Sequence, residues 1–283
     1  IALFSGDCFS RPELAEIVND SYSGFQHELK SPLIKLEDNH HLLELFHGPT
    51  LAFKDFAMQV IAKMFAKTLP KKNLKINIVT ATSGDTGSAA VEAFKAVSSV
   101  NLYVLYPHER ISQVQRMQMT TSNANNIKVF AVKGTFDDCQ SIVKGLFADK
   151  DLVEDVNLSG VNSINWARIL VQIVYYFSAF YQMKDFSERK LSFSVPTGNF
   201  GDAYAGYLSK KMGLPINKII VATNKNDILD RVFKTGIYKS HGVSKTLSPS
   251  MDIQVASNFE RLLFNLVNND TNEVSKLMNK LSN

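Results

Sequence analysis

Short apolar runs alternate along most of the chain with longer segments whose apolar residues have helical spacing. The apolar runs predict strands at 76–80, 102–106, 127–132, 191–195 and 218–223, with one more short run at 42–46. Helical spacing predicts helices at 53–66, 86–97, 135–147, 163–182 and 202–212, then an irregular segment at 245–254 and two further helices. Because strands and helices alternate along the chain, the pattern predicts an α/β fold with a largely parallel sheet.

Two of the predicted strand-to-helix junctions have similar compositions. The strand at 76–80 leads into residues 82–87, TSGDTG, and the strand at 191–195 leads into residues 196–202, PTGNFGD. Such a loop directs free backbone N–H groups and the positive end of a helix toward one point, and glycine lets an anion come close. Ordinary capped turns would have the same composition. Neither loop matches the dinucleotide-binding or the P-loop pattern.

Lys54 stands out in the first turn of the predicted helix at 53–66. One side of this helix is apolar and comprises Phe53, Phe56, Ala57, Val60, Ile61 and Met64. The opposite side is predicted to be polar and comprises Asp55, Gln59, Lys63 and Lys67. Lys54 projects between Ile61 and Phe65, at the edge of the apolar side. Burial and a helix N-terminus both disfavour a charged amine, and a lysine with a lowered pKa is the kind that forms Schiff bases. The alternative is a lysine whose ammonium group reaches water along its apolar stem.

One type of cofactor would use both the amine and the two loops. An uncharged amine suits an aldehyde, and a glycine-rich helix start suits a phosphate. Pyridoxal phosphate carries both groups and is anchored to its enzymes by a lysine. The residues alone are compatible with this cofactor but leave the simpler alternatives open.

Composition and charge narrow the classes of function. The 283 residues are 45% apolar, which is enough to bury a core in one or two domains. The formal charge is +4 and no basic run is interleaved with aromatic residues, so a nucleic-acid partner is not expected. The most apolar stretch, at 169–180, is too short to span a bilayer, so a membrane partner is not expected either. Cys8 and Cys139 have neither metal-ligand nor disulfide-framework spacing, and we expect a reducing, cytoplasmic location and no metal.

Four segments resemble the threonine synthase family of fold-type II pyridoxal-phosphate enzymes. They are residues 47–56 (HGPTLAFKDF), 80–87 (TATSGDTG), 162–168 (NSINWAR) and 194–202 (SVPTGNFGD), and they occur in the family's order. The resemblance implies two parallel-sheet domains with helices on both faces. It divides the chain into a partial N-terminal segment with the start of the large domain and the lysine helix (1–75), a smaller substrate-binding domain (76–160), and the large cofactor-binding domain (161–283).

The resemblance also implies an activity, namely a carbon–oxygen lyase that acts on a phosphorylated substrate. The family converts O-phospho-L-homoserine and water into L-threonine and phosphate by γ-elimination and β-hydration. Lys54 would hold pyridoxal phosphate and move protons as a general acid and base, a role typically worth about 10²–10⁴-fold in rate. The implied cofactor contacts are Lys54, Asp85, Thr197, Gly198, Asn199, Phe200 and Gly201, with the glycine-rich loop binding the cofactor phosphate through backbone N–H groups.

The implied substrate contacts come from two segments. They are Ser83, Gly84 and Thr86 for the substrate carboxylate, and Asn162, Ser163, Asn165 and Arg168 for its phosphate. A structural ion pair is the alternative role for Arg168. Asp85 would lie near the phenolic oxygen of the cofactor, where two negative charges repel each other unless they share a proton. Many related enzymes outside the family carry Asn there.

The chain also departs from the family pattern, and other functions remain open. Family members are longer at both ends, and the residue that faces the pyridine nitrogen is expected beyond residue 283. A trimmed chain of this kind is expected to retain pyridoxal phosphate weakly, to have low activity, and to be a monomer or homodimer. The alternatives are another fold-type II enzyme, such as a serine/threonine dehydratase or a cysteine synthase, and a non-catalytic homologue that binds a phosphorylated ligand. A Rossmann-type oxidoreductase lacks its glycine fingerprint here.

Overall fold

The computed structural model describes residues 2, 6–183 and 191–282 and divides the chain into two compact units. Unit 1 comprises Ile1–Val171 and unit 2 comprises Gln172–Asn283. No helix among the described residues is both long enough and apolar enough to cross a membrane.

Unit 1 holds seven helices, the last of them shared with unit 2, and six strands within the described residues. After a 3-10 turn at Gly6–Cys8, they are α1 (Arg11–Tyr22), β1 (Leu33–Glu37), β2 (His40–Leu43), α2 (Lys54–Lys71), β3 (Ile76–Ala81), α3 (Asp85–Phe94), β4 (Val100–Pro107), α4 (Gln113–Thr120), β5 (Ile127–Val132), α5 (Phe136–Ala148), α6 (Lys150–Asp155), β6 (Leu158–Ser159) and α7 (Trp166–Gln182). The split between the units falls within α7.

The central sheet of unit 1 is parallel and has the strand order β5-β4-β3-β6. Alternate residues of its strands enter two cores, as a two-faced sheet requires. Ile78 packs with Met58 of α2 and Phe94 of α3, whereas the next residue, Val79, packs with Cys139 of α5. Helices therefore cover both faces, and α3 begins at the carboxyl end of β3.

Unit 2 contains a second, smaller parallel sheet. Its elements are the second half of α7, β7 (Leu191–Pro196), α8 (Gly201–Lys211), β8 (Ile216–Ala222), α9 (Ile228–Thr235), a 3-10 turn at Pro249–Met251, α10 (Phe259–Leu266) and α11 (Thr271–Ser282). Strands β7 and β8 pair in parallel, so Val195 lies opposite Val221, and α8 connects them. The loop before α8 therefore lies at the carboxyl end of β7, which is the usual ligand edge of such a sheet.

The predicted α/β fold is confirmed, including most of its strands and helices. The helix predicted at 163–182 instead begins at Trp166, because Asn165 caps it by accepting the Ala167 N–H at 3.0 Å through Oδ1. Among the described residues, four α-helices were not predicted, namely α1, α4, α6 and α9, and neither were the 3-10 turns at Gly6–Cys8 and Pro249–Met251. The β1–β2 hairpin and the two-residue strand β6 were also missed.

Candidate active site

Lys54 is the first residue of α2, and its amine lies inside unit 1. Only 6% of the residue is exposed. Its Nζ donates to Thr86 Oγ1 at 2.9 Å and forms an ion pair with Asp85 Oδ2 at 2.7 Å. The structure thus brings together three of the predicted site residues, since Lys54 begins α2 and both Asp85 and Thr86 lie in the first turn of α3. The alternative of a lysine reaching out to bulk water does not fit this burial.

The Asp85 carboxylate changes the electrostatics expected for Lys54. Burial alone would raise the pKa of Asp85, but the charge and hydrogen bond of Lys54, together with the Thr86 N–H and the charge of Arg168, hold that pKa below its usual value. The carboxylate is therefore ionised at neutral pH and stabilises a charged Lys54 amine. This effect opposes the burial and helix-end effects from which an uncharged amine was predicted.

Thr82 organises the loop that leads into α3, a role that the sequence did not predict for it. Its buried Oγ1 accepts the N–H groups of Gly84 at 2.9 Å and Gly87 at 2.8 Å. Gly84 has a φ of 133°, a conformation that side chains rarely adopt. Ser83 lies in the same loop, ahead of the Asp85–Thr86 pair that contacts Lys54. A threonine two residues before a helix-starting glycine is the signal that could have predicted this arrangement.

We expect Gly84→Ala to destabilise the protein by about 2 kcal/mol, through backbone strain and a steric clash. A Cβ at this position would collide with the side-chain amide of Gln115 in α4. The matched control is Gly145→Ala, because Gly145 lies inside α5 and a Cβ there would meet nothing within 4 Å. This control should stabilise the helix by about 0.5–1 kcal/mol. Urea unfolding of the two variants measures both effects, and equal midpoints would contradict the prediction.

The prediction that Asp55 lies on the polar side of its helix is wrong. Asp55 is fully buried. Its carboxylate accepts Thr50 Oγ1–H at 2.7 Å, Thr50 N–H at 2.8 Å and Ala52 N–H at 3.5 Å. Burial raises the pKa of Asp55, and these hydrogen bonds oppose the rise. The side chain folds back over the turn before α2, which a helical projection of the helix alone does not represent.

The lack of a side chain at Gly48 leaves room for the buried Asp55 carboxylate. A Cβ at Gly48 would lie only 2.5 Å from the Asp55 Cβ and Oδ2 atoms. The turn between them also carries Leu51 in the left-handed region, with a φ of 60°. Gln118 of α4 donates to the Thr50 carbonyl at 3.2 Å and ties the turn to the rest of unit 1. Hydrogen bonds to Asp55 and from Gln118 therefore both hold the turn that precedes Lys54.

The predicted substrate-phosphate residues form a turn and the start of α7. Asn165 uses both ends of its amide locally, donating to the Gly160 carbonyl at 3.1 Å and accepting the Ala167 N–H. Arg168 is 2% exposed, and its Nη1 donates to the Val161 carbonyl at 3.3 Å. Its charge also acts on Asp85. Arg168 thus acts electrostatically on the Lys54 group, by which we mean Lys54, Asp85 and Thr86. Its contact with a substrate phosphate stays a prediction, as do the contacts of Asn162 and Ser163.

The loop at 197–201 in unit 2 is largely organised by its own side chains. Thr197 Oγ1 accepts the Phe200 N–H at 3.0 Å, and Asn199 Oδ1 accepts the Gly201 N–H at 2.9 Å. Among the described residues, the N–H groups of Gly198 and Asn199 donate no hydrogen bond. Two of the four predicted phosphate donors are therefore engaged within the loop, and two remain available for a ligand.

Phe200 fixes the shape of this loop. It has a left-handed φ of 65° and is 3% exposed. Its ring packs against Phe233 and Phe259, with ring centroids 6.0 and 5.8 Å away. An L-residue keeps such a backbone conformation only where surrounding contacts hold it, and such positions concentrate at ligand sites.

A second segment of unit 2 covers the loop. A Cβ at Gly198 would lie 3.1 Å from the Met251 backbone, and the Asn258 N–H donates to the Asn199 carbonyl at 3.0 Å. Asp252 holds this segment in place by accepting Thr246 Oγ1–H at 2.6 Å and Asn224 Nδ2–H at 2.8 Å. The segment is distant from the loop in sequence, so no local pattern could have predicted this contact.

Comparison with known proteins agrees with this chemistry. The sequence profile of the family described as "Pyridoxal-phosphate dependent enzyme" matches residues 25–277. The chain belongs to this family. The predicted fold-type II architecture is therefore confirmed for a pyridoxal-phosphate dependent enzyme.

Its similar relatives include threonine synthases. That of Pseudomonas aeruginosa is 49% identical over 266 residues, which cover 94% of this chain and 56% of the relative. That of Saccharomyces cerevisiae is 48% identical, over 90% of this chain and 52% of the relative. The crystal structure of pyridoxal-phosphate-bound threonine synthase from Brucella melitensis is 48% identical, with a TM-score of 0.93, over 99% of this chain and 60% of that one. The predicted resemblance is confirmed, and the chain spans about half the length of the curated relatives.

Proposed function

We propose that this chain carries the pyridoxal-phosphate site of a threonine synthase, which converts O-phospho-L-homoserine and water into L-threonine and phosphate. The observation that carries the proposal is the buried Lys54 amine, bound to Asp85 and Thr86 at the start of two helices. Similarity to threonine synthases over most of the chain supports it. The alternatives, a dehydratase-like enzyme or a binding homologue, have no comparable support.

The residues present fit pyridoxal phosphate. Lys54 offers a buried primary amine for the cofactor aldehyde. The N–H groups of Gly198 and Asn199, which donate to no described residue, offer donors at a helix N-terminus for the cofactor phosphate. Thr197, Phe200 and Gly201 would hold the loop in this shape. When bound, the cofactor supplies an electron sink for negative charge that develops on the substrate carbons.

The Lys54 group would carry out proton transfer to and from the substrate. Lys54 would donate and accept protons at the substrate carbons, and Thr86 and Asp85 would orient its Nζ through the observed contacts. Asp85 is ionised beside Lys54, so at the phenolic oxygen of the cofactor it would require a shared proton or a charged Lys54 nearby.

Two polar segments would bind the substrate. Ser83, Gly84 and Thr86 would take the carboxylate at the start of α3, where the helix end favours an anion. Arg168, with the turn at 162–165, would bind the substrate phosphate and supply the positive charge that a phosphate requires.

We further propose a cytoplasmic enzyme, monomeric or homodimeric, without nucleic-acid or membrane partners. We also retain the division into 1–75, 76–160 and 161–283.

Product analysis tests the proposed function. The purified full-length protein that contains this chain, supplied with pyridoxal phosphate, is incubated separately with O-phospho-L-homoserine, L-serine and L-threonine. We expect threonine and phosphate in equal amounts from the first substrate and no 2-oxo acid from the other two. Formation of 2-oxo acids from serine or threonine would instead indicate a dehydratase. If borohydride treatment gives no pyridoxyl-lysine adduct, the protein is a binding homologue and the proposal is wrong.

A further inference from the structure

Gln172, in α7, carries a buried side-chain oxygen that no described residue satisfies. The residue is 4% exposed, and its Oε1 is buried without a hydrogen-bond partner. Buried polar groups are almost always hydrogen-bonded, so a buried amide oxygen without a partner among the described residues suggests that this end of the side chain contacts a group that is not part of the protein chain.

The Gln172 amide lies beside the first residue of α8. Its Oε1 is 3.5 Å from the position that a Cβ on Gly201 would take. The same position is 3.1 Å from Asn199 Oδ1 and 3.3 Å from Asn258 Nδ2. Three carboxamides from distant parts of unit 2 therefore surround Gly201. Glycine leaves open the space into which a side chain would otherwise project.

The electrostatics of this position favour an anion. Helix α8 has 11 residues, and its N-terminal end carries partial positive charge. The nearby N–H groups of Gly198 and Asn199 donate to no described residue. Asp202 in the first turn acts against an anion, although its Oδ1 is engaged by the N–H of Ala203 at 2.8 Å. A carboxamide can present either its oxygen or its NH₂ group, so Gln172 can turn Nε2–H toward a negative oxygen.

We propose that Gln172 is a phosphate-contacting residue, which donates an Nε2–H hydrogen bond to a phosphate group bound at the N-terminal end of α8. The inference rests on the proposed function in that the phosphate is taken to be that of pyridoxal phosphate. It adds a side-chain donor to a loop that was expected to bind phosphate through its backbone alone.

Gln172→Met tests the proposal, because methionine keeps the length and approximate volume of glutamine and removes the polar amide. Affinity is measured by absorbance titration with two probes, pyridoxal phosphate and pyridoxal, which lacks the phosphate. We expect the variant to bind pyridoxal phosphate about tenfold more weakly and pyridoxal unchanged, since one hydrogen bond to a charged group is lost. Gln172→Glu should weaken pyridoxal phosphate further, by placing a second negative charge at the phosphate.

The matched control is Gln182→Met, the same change in the same helix, roughly 15 Å away along its axis. It should leave both affinities unchanged. If Gln172→Met weakens both probes equally, Gln172 only supports the fold, and if it weakens neither, the contact does not exist; both outcomes overturn the proposal. If Gln172→Met does not fold, the same comparison is made with Gln172→Glu.

Failure of the proposed function gives a different result. In that case the wild-type protein binds no pyridoxal phosphate, and the probe becomes inorganic phosphate, measured by the rise in melting temperature that it causes. Loss of this rise in Gln172→Met, with its retention in Gln182→Met, would still support a phosphate contact. An equal rise in both variants, or no rise in the wild type, would overturn it.

Discussion

Lys54→Ala is expected to abolish covalent attachment of pyridoxal phosphate and to lower threonine formation by at least about 10²-fold. The substitution removes the only amine that the structure places beside both Asp85 and Thr86 within the described residues. No other group there can form a Schiff base or move protons at the same point. Borohydride reduction followed by peptide mass analysis locates the adduct, and visible absorbance of the purified protein monitors the bound cofactor.

Lys63→Ala is the matched control for this prediction. Lys63 lies nine residues further along α2 and is only partly exposed, so the substitution removes an amine from the same helix but not from the Lys54 group. This variant should keep the adduct, the absorbance band and the activity. A band that survives unchanged in Lys54→Ala would show that another lysine holds the cofactor.

The elements that bring Lys54, Asp85 and Thr86 together could largely be predicted, because they follow from local rules. The strand predicted at 76–80 ends at Ala81, and the helix predicted from residue 86 begins one residue earlier, at Asp85, after the glycine loop. Parallel strands place such loops at one sheet edge, so the loop and Lys54 were expected near the same ligand. The ion pair itself could not be predicted, because it depends on the angle between α2 and α3.

Contacts between segments distant in sequence could not be predicted. Gln172, Asn199 and Asn258 meet around Gly201, although 86 residues separate the first from the last. No periodicity or motif marks Gln172 as different from any other polar residue within an apolar helix. The position of the segment at 249–258 depends on the hydrogen bonds of Asp252, which connect side chains up to 28 residues apart.

Asp55 illustrates a different kind of error. The helical projection placed it with Lys63 and Lys67 because it treated the first turn like the middle of a helix. At a helix start, however, an acidic side chain can turn back and accept the N–H groups of the preceding loop. Asp55 does this for Thr50 and Ala52. The residue beside Lys54 is therefore part of the structure that positions the amine.

Removing the Asp55 carboxylate is expected to have the largest effect on stability. Asp55→Ala leaves the Thr50 N–H and Oγ1–H groups buried without their acceptor, and each such group costs about 1–3 kcal/mol. We expect a loss of about 3 kcal/mol in the free energy of unfolding, measured by urea denaturation. Asp38→Ala is the control, because Asp38 is exposed and forms only a surface ion pair with Lys35, so its loss should cost less than about 1 kcal/mol.

A double-mutant cycle with Thr50 tests whether this loss comes from the hydrogen bonds seen here. Thr50→Val alone removes the Oγ1–H donor and should cost about 1 kcal/mol in the wild-type background. In the Asp55→Ala background the donor has already lost its acceptor, so removing it should cost almost nothing or be slightly favourable. The two residues would then be coupled by about 1 kcal/mol, since interacting side chains are not additive. Strictly additive costs would mean that Asp55 stabilises the turn before Lys54 by some other means than its bonds to Thr50.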